Sequence, residues 1–197
     1  MLQTLLALIV FLFPLAYSPG PGNMFFAING ARFGFAATIP ASLGYHLATW
    51  IVTAAVGLGF AATMSQFPQF FPTIRVAGSL YVLWLAWKMF RAAALNSKVQ
   101  AQPAGFGDGV ILLLLNPKGY AIMVLMFTQF LGKVEIAQPL EVVLITTVFT
   151  LNNLVAFSVW TLIGDKIAGL FRTPDSAKRM NMLFAGILAA VALWMLR

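Results

Sequence analysis

Charge is missing from long stretches of this chain. No charged residue precedes Arg32, and none occurs between Arg32 and Arg75, from Val142 to Gly164, or from Met180 to Leu196. About 20 apolar residues, rising 1.5 Å each, cross the roughly 30 Å hydrocarbon core of a bilayer, so each gap is long enough to span it. The composition agrees: 61% of the 197 residues are apolar and 9% charged, against roughly 45–50% and 25% in a soluble domain. A water-soluble globule is excluded, and the chain reads as an integral membrane protein.

Hydropathy places spans at about 2–20, 36–62, 74–91, 109–131, 140–164 and 180–197. In lipid every backbone polar group needs an internal partner, and long apolar runs without period-2 alternation argue for helices over a barrel. The expected fold is therefore all-α, a polytopic bundle of six transmembrane helices forming a single domain over 1–197. The run Leu2 to Ala16 lacks a basic leader and a small-x-small site before Ser18-Pro19, so it is read as a membrane span rather than a secretory signal. The stretch Ala92 to Gly107, AAALNSKVQAQPAGFG, is the most polar. It divides the chain into a first half at 1–92, a linker at 93–107 and a second half at 108–197. With three spans per half, the second half enters the membrane with the opposite topology, giving two inverted repeats.

Loop charges set the orientation. The connections after spans one, three and five hold Arg32, then Lys88, Arg91 and Lys98, then Lys166, Arg172, Lys178 and Arg179; the opposite side holds only Arg75, Lys133 and Arg197. Both termini are thus expected outside. The same bias accounts for the net charge of +7 without invoking nucleic acid. With no cysteine and one histidine, thiolate sites, disulfides and an HExxH-type zinc centre are excluded, and no metal or cofactor is expected. An enzyme would need a nucleophile elbow or a His/Asp/Glu cluster, and the spans contain neither.

Two spans break their own rules. Ser18-Pro19-Gly20-Pro21-Gly22-Asn23 closes the first, and Asn116-Pro117-Lys118-Gly119 interrupts the fourth. The prolines carry no N–H, so the carbonyls of Leu15, Tyr17 and Leu113 lose their helical donors, and the glycines let the backbone unwind. Asn116, preceding a proline, is pushed away from helical geometry. An offset of 97 or 98 residues superimposes the breaks, and paired interruptions in two halves are the best sequence pointer to a transport site. Half-helices resuming after Gly22 and Gly119 would offer free N–H groups and a positive dipole end to a carboxylate. The freed carbonyls suit an ammonium or a coupling ion. Pro19, Gly20, Pro21, Gly22, Asn23, Asn116, Pro117, Lys118 and Gly119 are accordingly candidate substrate-binding residues.

Lys118 stands out because it lies about nine residues, roughly 14 Å, into its span, where an amine costs on the order of 2.5–3.5 kcal/mol. It is a candidate to hold a substrate carboxylate, to neutralise freed carbonyls, or to change protonation during transport. Asn152 and Asn153, mid-span in helix five, are further substrate-binding candidates, and His46 in helix two is a second proton-coupling candidate. Gly30-x-x-x-Gly34 reads as a tight turn or a helix-packing element. The acids Asp108, Glu135, Glu141, Asp165 and Asp175 all fall in loops or at span ends, so an acidic proton relay within the membrane is missing.

The runs SPGPGNMFFAINGARFG at 18–34, VAGSLYVLWLAWKMFR at 76–91 and LLNPKGYAIMVLMFTQF at 114–130 resemble the LysE/RhtB family of bacterial amino-acid exporters. The family's PGP motif matches Pro19, Gly20 and Pro21; its NPK motif matches Asn116, Pro117 and Lys118. The resemblance implies a six-helix bacterial inner-membrane exporter of amino acids or close derivatives, driven by the proton gradient. Gly22 follows PGP where many members have an acidic residue or Asn, and Asn152 and Asn153 stand where many have an aspartate in helix five. With no buried carboxylate to pair a basic side chain, a small neutral amino acid is the better fit. A bundle this small is also a candidate for homodimerisation. The competing reading is a non-transporting structural or regulatory membrane subunit, in which both breaks are incidental.

Overall fold

A computed structural model of the chain describes residues 2–66 and 102–168 and scattered helical positions among 76–87 and 182–193. The spans expected at 74–91 and 180–197 and most of the 93–107 linker lie outside the described residues. Within them the protein is wholly helical: α1 (Leu2–Tyr17), α2 (Pro21–Phe33), a short 3₁₀ turn (Ala36–Thr38), α3 (Ile39–Gln66), α4 (Phe106–Leu114), α5 (Pro117–Phe130) and α6 (Gln138–Ala168).

Helices α3 and α6 are each long and apolar enough to cross a membrane, while α1/α2 and α4/α5 qualify only as pairs, bent by 64° and 61°. The polytopic helical bundle expected from the sequence is thus present, with different boundaries for its first span. That span was expected to end at residue 20, yet the chain continues through α2 to Phe33, so the first break lies between two helices that are long and apolar enough only together. The reason is burial against protein: α2 carries Asn23 and Asn29 but buries nearly its whole surface from Pro21 to Ala31. A helix that faces other helices does not need the hydropathy of one that faces lipid.

Each break has a local cause. Both α2 and α5 open on a proline at their first helical position, where no N–H is required and φ is already helical. Asn116 is held extended at φ −94° and ψ 97°, the geometry a following proline imposes. Pro21 and Pro117 lie 96 residues apart, so structural equivalence sits one residue off the expected offset. Helix α2 stops at Gly34, whose φ of +82° only glycine adopts freely.

Packing interleaves early and late helices of the chain. Helix α6 buries one stripe, including Val142, Ile145, Phe149, Ala156 and Phe157, and packs against α2, α3 and α1, while α3 packs against α4, α5 and α6. Helix α1 buries Leu8, Leu12 and Ala16 and leaves Leu2, Leu6, Val10 and Phe13 exposed, a one-sided pattern suited to lipid on the other face. The buried Glu141 has a structural role. Its carboxylate accepts the backbone N–H groups of Gly132 (2.8 Å), Lys133 (3.0 Å) and Val134 (3.0 Å), pinning the turn between α5 and α6.

Candidate functional site

The end of α1 is where the backbone most needs partners, since the last carbonyls of a helix have no intrahelical donor. The Pro14 carbonyl accepts the Ser18 N–H at 3.2 Å, and the next three are met by side chains. Ser18 Oγ donates to the Leu15 carbonyl (3.1 Å), Asn23 Nδ2 to that of Ala16 (2.9 Å), and Trp160 Nε1 to that of Tyr17 (3.1 Å). The Ser18 carbonyl accepts the Lys118 ammonium at 2.6 Å, and Lys118 Nζ also donates to Ser18 Oγ at 3.0 Å. The two breaks are therefore joined across 100 residues of sequence. A cation at the carbonyl end of α1 is favourably placed in the helix dipole, which explains how a lysine is tolerated within a span.

Gly20 makes room for this contact. A Cβ there would stand 2.9 Å from Lys118 Cδ and 3.1 Å from its Nζ. Gly22 is similarly constrained, since its Cβ would meet the Phe157 ring at 2.7 Å and lie 3.5 Å from Asn116 Nδ2. Among the described residues no carboxylate lies against Lys118. The first turns of α2 and α5 receive no side-chain cap; in α5 the Gly119 N–H donates to the Asn116 carbonyl at 3.0 Å instead.

Beside Lys118 is a small cavity. Asn23, Tyr45, Asn116, Lys118 and Asn153 give it a polar side, and Leu15, Ala16, Gly119, Ile122, Phe149 and Phe157 an apolar one. Asn116 is buried and donates through Nδ2 to Tyr45 Oη at 3.0 Å, while its Oδ1 has no partner. An unmatched buried acceptor costs about 1–3 kcal/mol, a cost that a ligand donor would remove. The cavity measures about 10 Å³, room for no more than one water; a molecule the size of an amino acid enters only if helices move apart.

The sequence-chosen residues are distributed unevenly around this space. Asn23, Asn116, Lys118, Gly119 and Asn153 line it, whereas Pro19, Gly20, Pro21, Gly22 and Pro117 shape the breaks beside it. Asn152 does not line it; neighbouring residues on a helix face different directions, and its Nδ2 is buried without a partner. His46 is also off the cavity. Its Nδ1–H donates to the Ser42 carbonyl at 2.7 Å, its Nε2 has no partner, and its ring stands 5.3 Å from that of Tyr45 and 5.5 Å from that of Phe157. Tyr45, Phe149 and Phe157 were not singled out from sequence, because an aromatic in an apolar span reads as core. Trp160 was missed for the same reason.

Known proteins place the chain in context. The sequence profile of the LysE type translocator family matches residues 13–197. The chain is 25% identical over 184 residues to a homoserine/homoserine lactone efflux protein of Salmonella typhimurium, covering 90% of this chain and 88% of the relative. It is 27% identical over 185 residues to a cysteine/O-acetylserine efflux protein of Escherichia coli, covering 90% and 89%. To a leucine efflux protein of an Enterobacter species it is 23% identical over 185 residues, covering 88% of each. No solved structure matches the chain. A helical membrane bundle with paired broken spans, matched by the family profile over nearly its whole length, belongs to the LysE type translocators, which are transporters and not enzymes.

Proposed function

We propose that this protein exports a small neutral amino acid, or a close derivative, from the cytoplasm across the bacterial inner membrane in exchange for protons. The observation that carries the reading is the meeting of Lys118 with Ser18 beside a cavity lined, among the described residues, by three asparagines and no carboxylate. A zwitterion needs an anion subsite and a cation subsite. Lys118 and the uncapped first turns of α2 and α5 supply the first; Asn116 Oδ1, a buried acceptor with no partner of its own, supplies the second. With no acidic side chain lining the cavity among the described residues, a cationic cargo side chain would be desolvated unpaired, at a cost of several kcal/mol. The names of the relatives, which mention homoserine, cysteine, O-acetylserine and leucine, fit the same neutral class.

Alternating access supplies the route. The two bent spans, at 64° and 61°, belong to inverted halves at 1–92 and 108–197, and their breaks meet at the site. Both termini face the periplasm, and Lys118 carries the exchanged proton, with His46 as the second titratable group nearby. Counterflow in proteoliposomes tests the cargo directly. Vesicles preloaded with homoserine, cysteine or leucine are expected to accumulate the same labelled compound, and vesicles preloaded with lysine or glutamate are not. Preference for lysine would overturn the neutral assignment.

A further inference from the structure

Four glycines mark places where helices touch backbone to backbone. A Cβ on Gly30 of α2 would run into the carbonyl of Thr161 of α6, and one on Gly164 of α6 into the carbonyl of Ala27 of α2. The pattern recurs between α3 and α4: Gly44 faces the carbonyl of Phe106, and Gly109 that of Ala41. Each seam is reciprocal, with a glycine and the residue three positions away on one helix meeting their counterparts on an antiparallel helix. Glycine seams let backbones approach too closely for sliding or repacking, so α2 with α6, and α3 with α4, each form a locked pair.

What lies between the pairs differs in kind. Phe26 and Phe157 belong to the α2–α6 pair, and Tyr45 and His46 to α3. Their rings meet face and edge: Phe26 to Tyr45 at 5.8 Å, Tyr45 to Phe157 at 4.8 Å, and His46 to Phe157 at 5.5 Å. Ring contacts of this sort have no directional bond to break. Among the described residues one hydrogen bond crosses at the same end, from the Ala104 N–H to Asn29 Oδ1 at 3.2 Å, and another joins α3 to α6 nearer Gly57, from Trp50 Nε1 to Thr147 Oγ1 at 3.2 Å. His46 is tied to its own helix through Ser42 and would travel with α3. Towards the opposite end the close contact of α3 with α5 and α6 is made by side chains: a Cβ on Gly57 would strike the Phe127 ring and Val142 Cγ1.

We infer that the aromatic quartet of Phe26, Tyr45, His46 and Phe157 is a transport gate, opened when the α2–α6 pair swings as a unit away from α3–α4 about the α3–α6 crossing near Gly57. The inference rests on the export reading and adds which parts move. It assigns Phe26 and His46, which do not line the cavity, a positioning role in the cycle. Rigid pairs with a soft seam between them are what a hinge motion requires.

The chain has no cysteine, so introduced pairs act alone. Asn29→Cys with Ala104→Cys spans the gate; Phe35→Cys with Asp165→Cys lies within one unit, where the Phe35 N–H donates to Asp165 Oδ2 at 3.3 Å. Bridging the first pair with a short bifunctional thiol reagent should slow amino-acid counterflow at least about tenfold relative to the same untreated variant, and bridging the second should change it less than about twofold. Equal inhibition by both bridges, or by neither, overturns the gate. Distances between spin labels on the same pairs answer without any cargo: two populations at 29/104 and one at 35/165 support it, and one population at both overturns it. Failure of the unmodified protein to move any amino acid would contradict the export reading, leaving the label distances to judge the gate.

Discussion

Lys118 shows what a single residue can disclose. An amine within a span is expensive, and the cost is met by the Ser18 carbonyl and hydroxyl, contacts that no local pattern around Asn116-Pro117-Lys118 names. Lys118→Met is expected to leave a folded, membrane-inserted protein whose export falls at least about tenfold, roughly 1.4 kcal/mol, measured as labelled amino-acid efflux per unit of inserted protein. Lys118→Arg keeps the charge but not an exchangeable proton, so counterflow should survive while gradient-driven transport is lost. The asparagines divide equally clearly. Asn153 and Asn116 line the cavity and Asn152 does not, so Asn116→Leu should abolish counterflow and Asn152→Leu should reduce it less than about threefold. Sequence alone could flag Asn152 and Asn153 as polar and buried, but not which one turns inward, because that depends on the rotation of α6 about its axis. Tyr45 was invisible for a different reason: its hydroxyl matters only because Asn116, 71 residues away, donates to it.

At the scale of elements, the breaks were legible and the helix between them was not. Proline and glycine announce an interruption through lost N–H groups and backbone freedom. Helix α2 is too polar for a lipid-facing window and was absorbed into the first loop, although its burial against α6 makes it part of the membrane domain. The glycine seams had half a signature, Gly30-x-x-x-Gly34, of which Gly30 packs and Gly34 turns the chain at φ +82°. The other partners, Gly44, Gly109 and Gly164, carry no motif because their counterparts lie on distant helices. Gly164→Leu should prevent stable assembly, since overpacking costs about 1–3 kcal/mol even where side chains can shift and here the obstacle is the Ala27 backbone. Gly107→Ala, whose Cβ would meet nothing within 4 Å, is the matched control, and the fraction surviving detergent extraction as a monodisperse species reads the difference.

Among the described residues, early and late helices hold one another: α2 rests on α6, and α4 rests on α3. Composition and charge gaps were enough to establish a polytopic helical bundle, because the bilayer leaves few alternatives. The cross-packing is long-range and left no trace in local sequence. Orientation rests on the loop charges, and it makes a direct prediction. In intact spheroplasts an impermeant thiol reagent should label Glu135→Cys, in the turn between α5 and α6, and should reach Lys166→Cys only after the membrane is opened. Inverted labelling would turn the exporter around.

The central claim is a proton-coupled exporter working through Lys118, and uptake into inverted membrane vesicles tests it most directly. With an imposed proton gradient, acid inside, vesicles carrying the native chain should accumulate a labelled neutral amino acid, and those carrying Lys118→Ala should not. Equal uptake by both, or uptake by the native chain that ignores the gradient, would contradict the account.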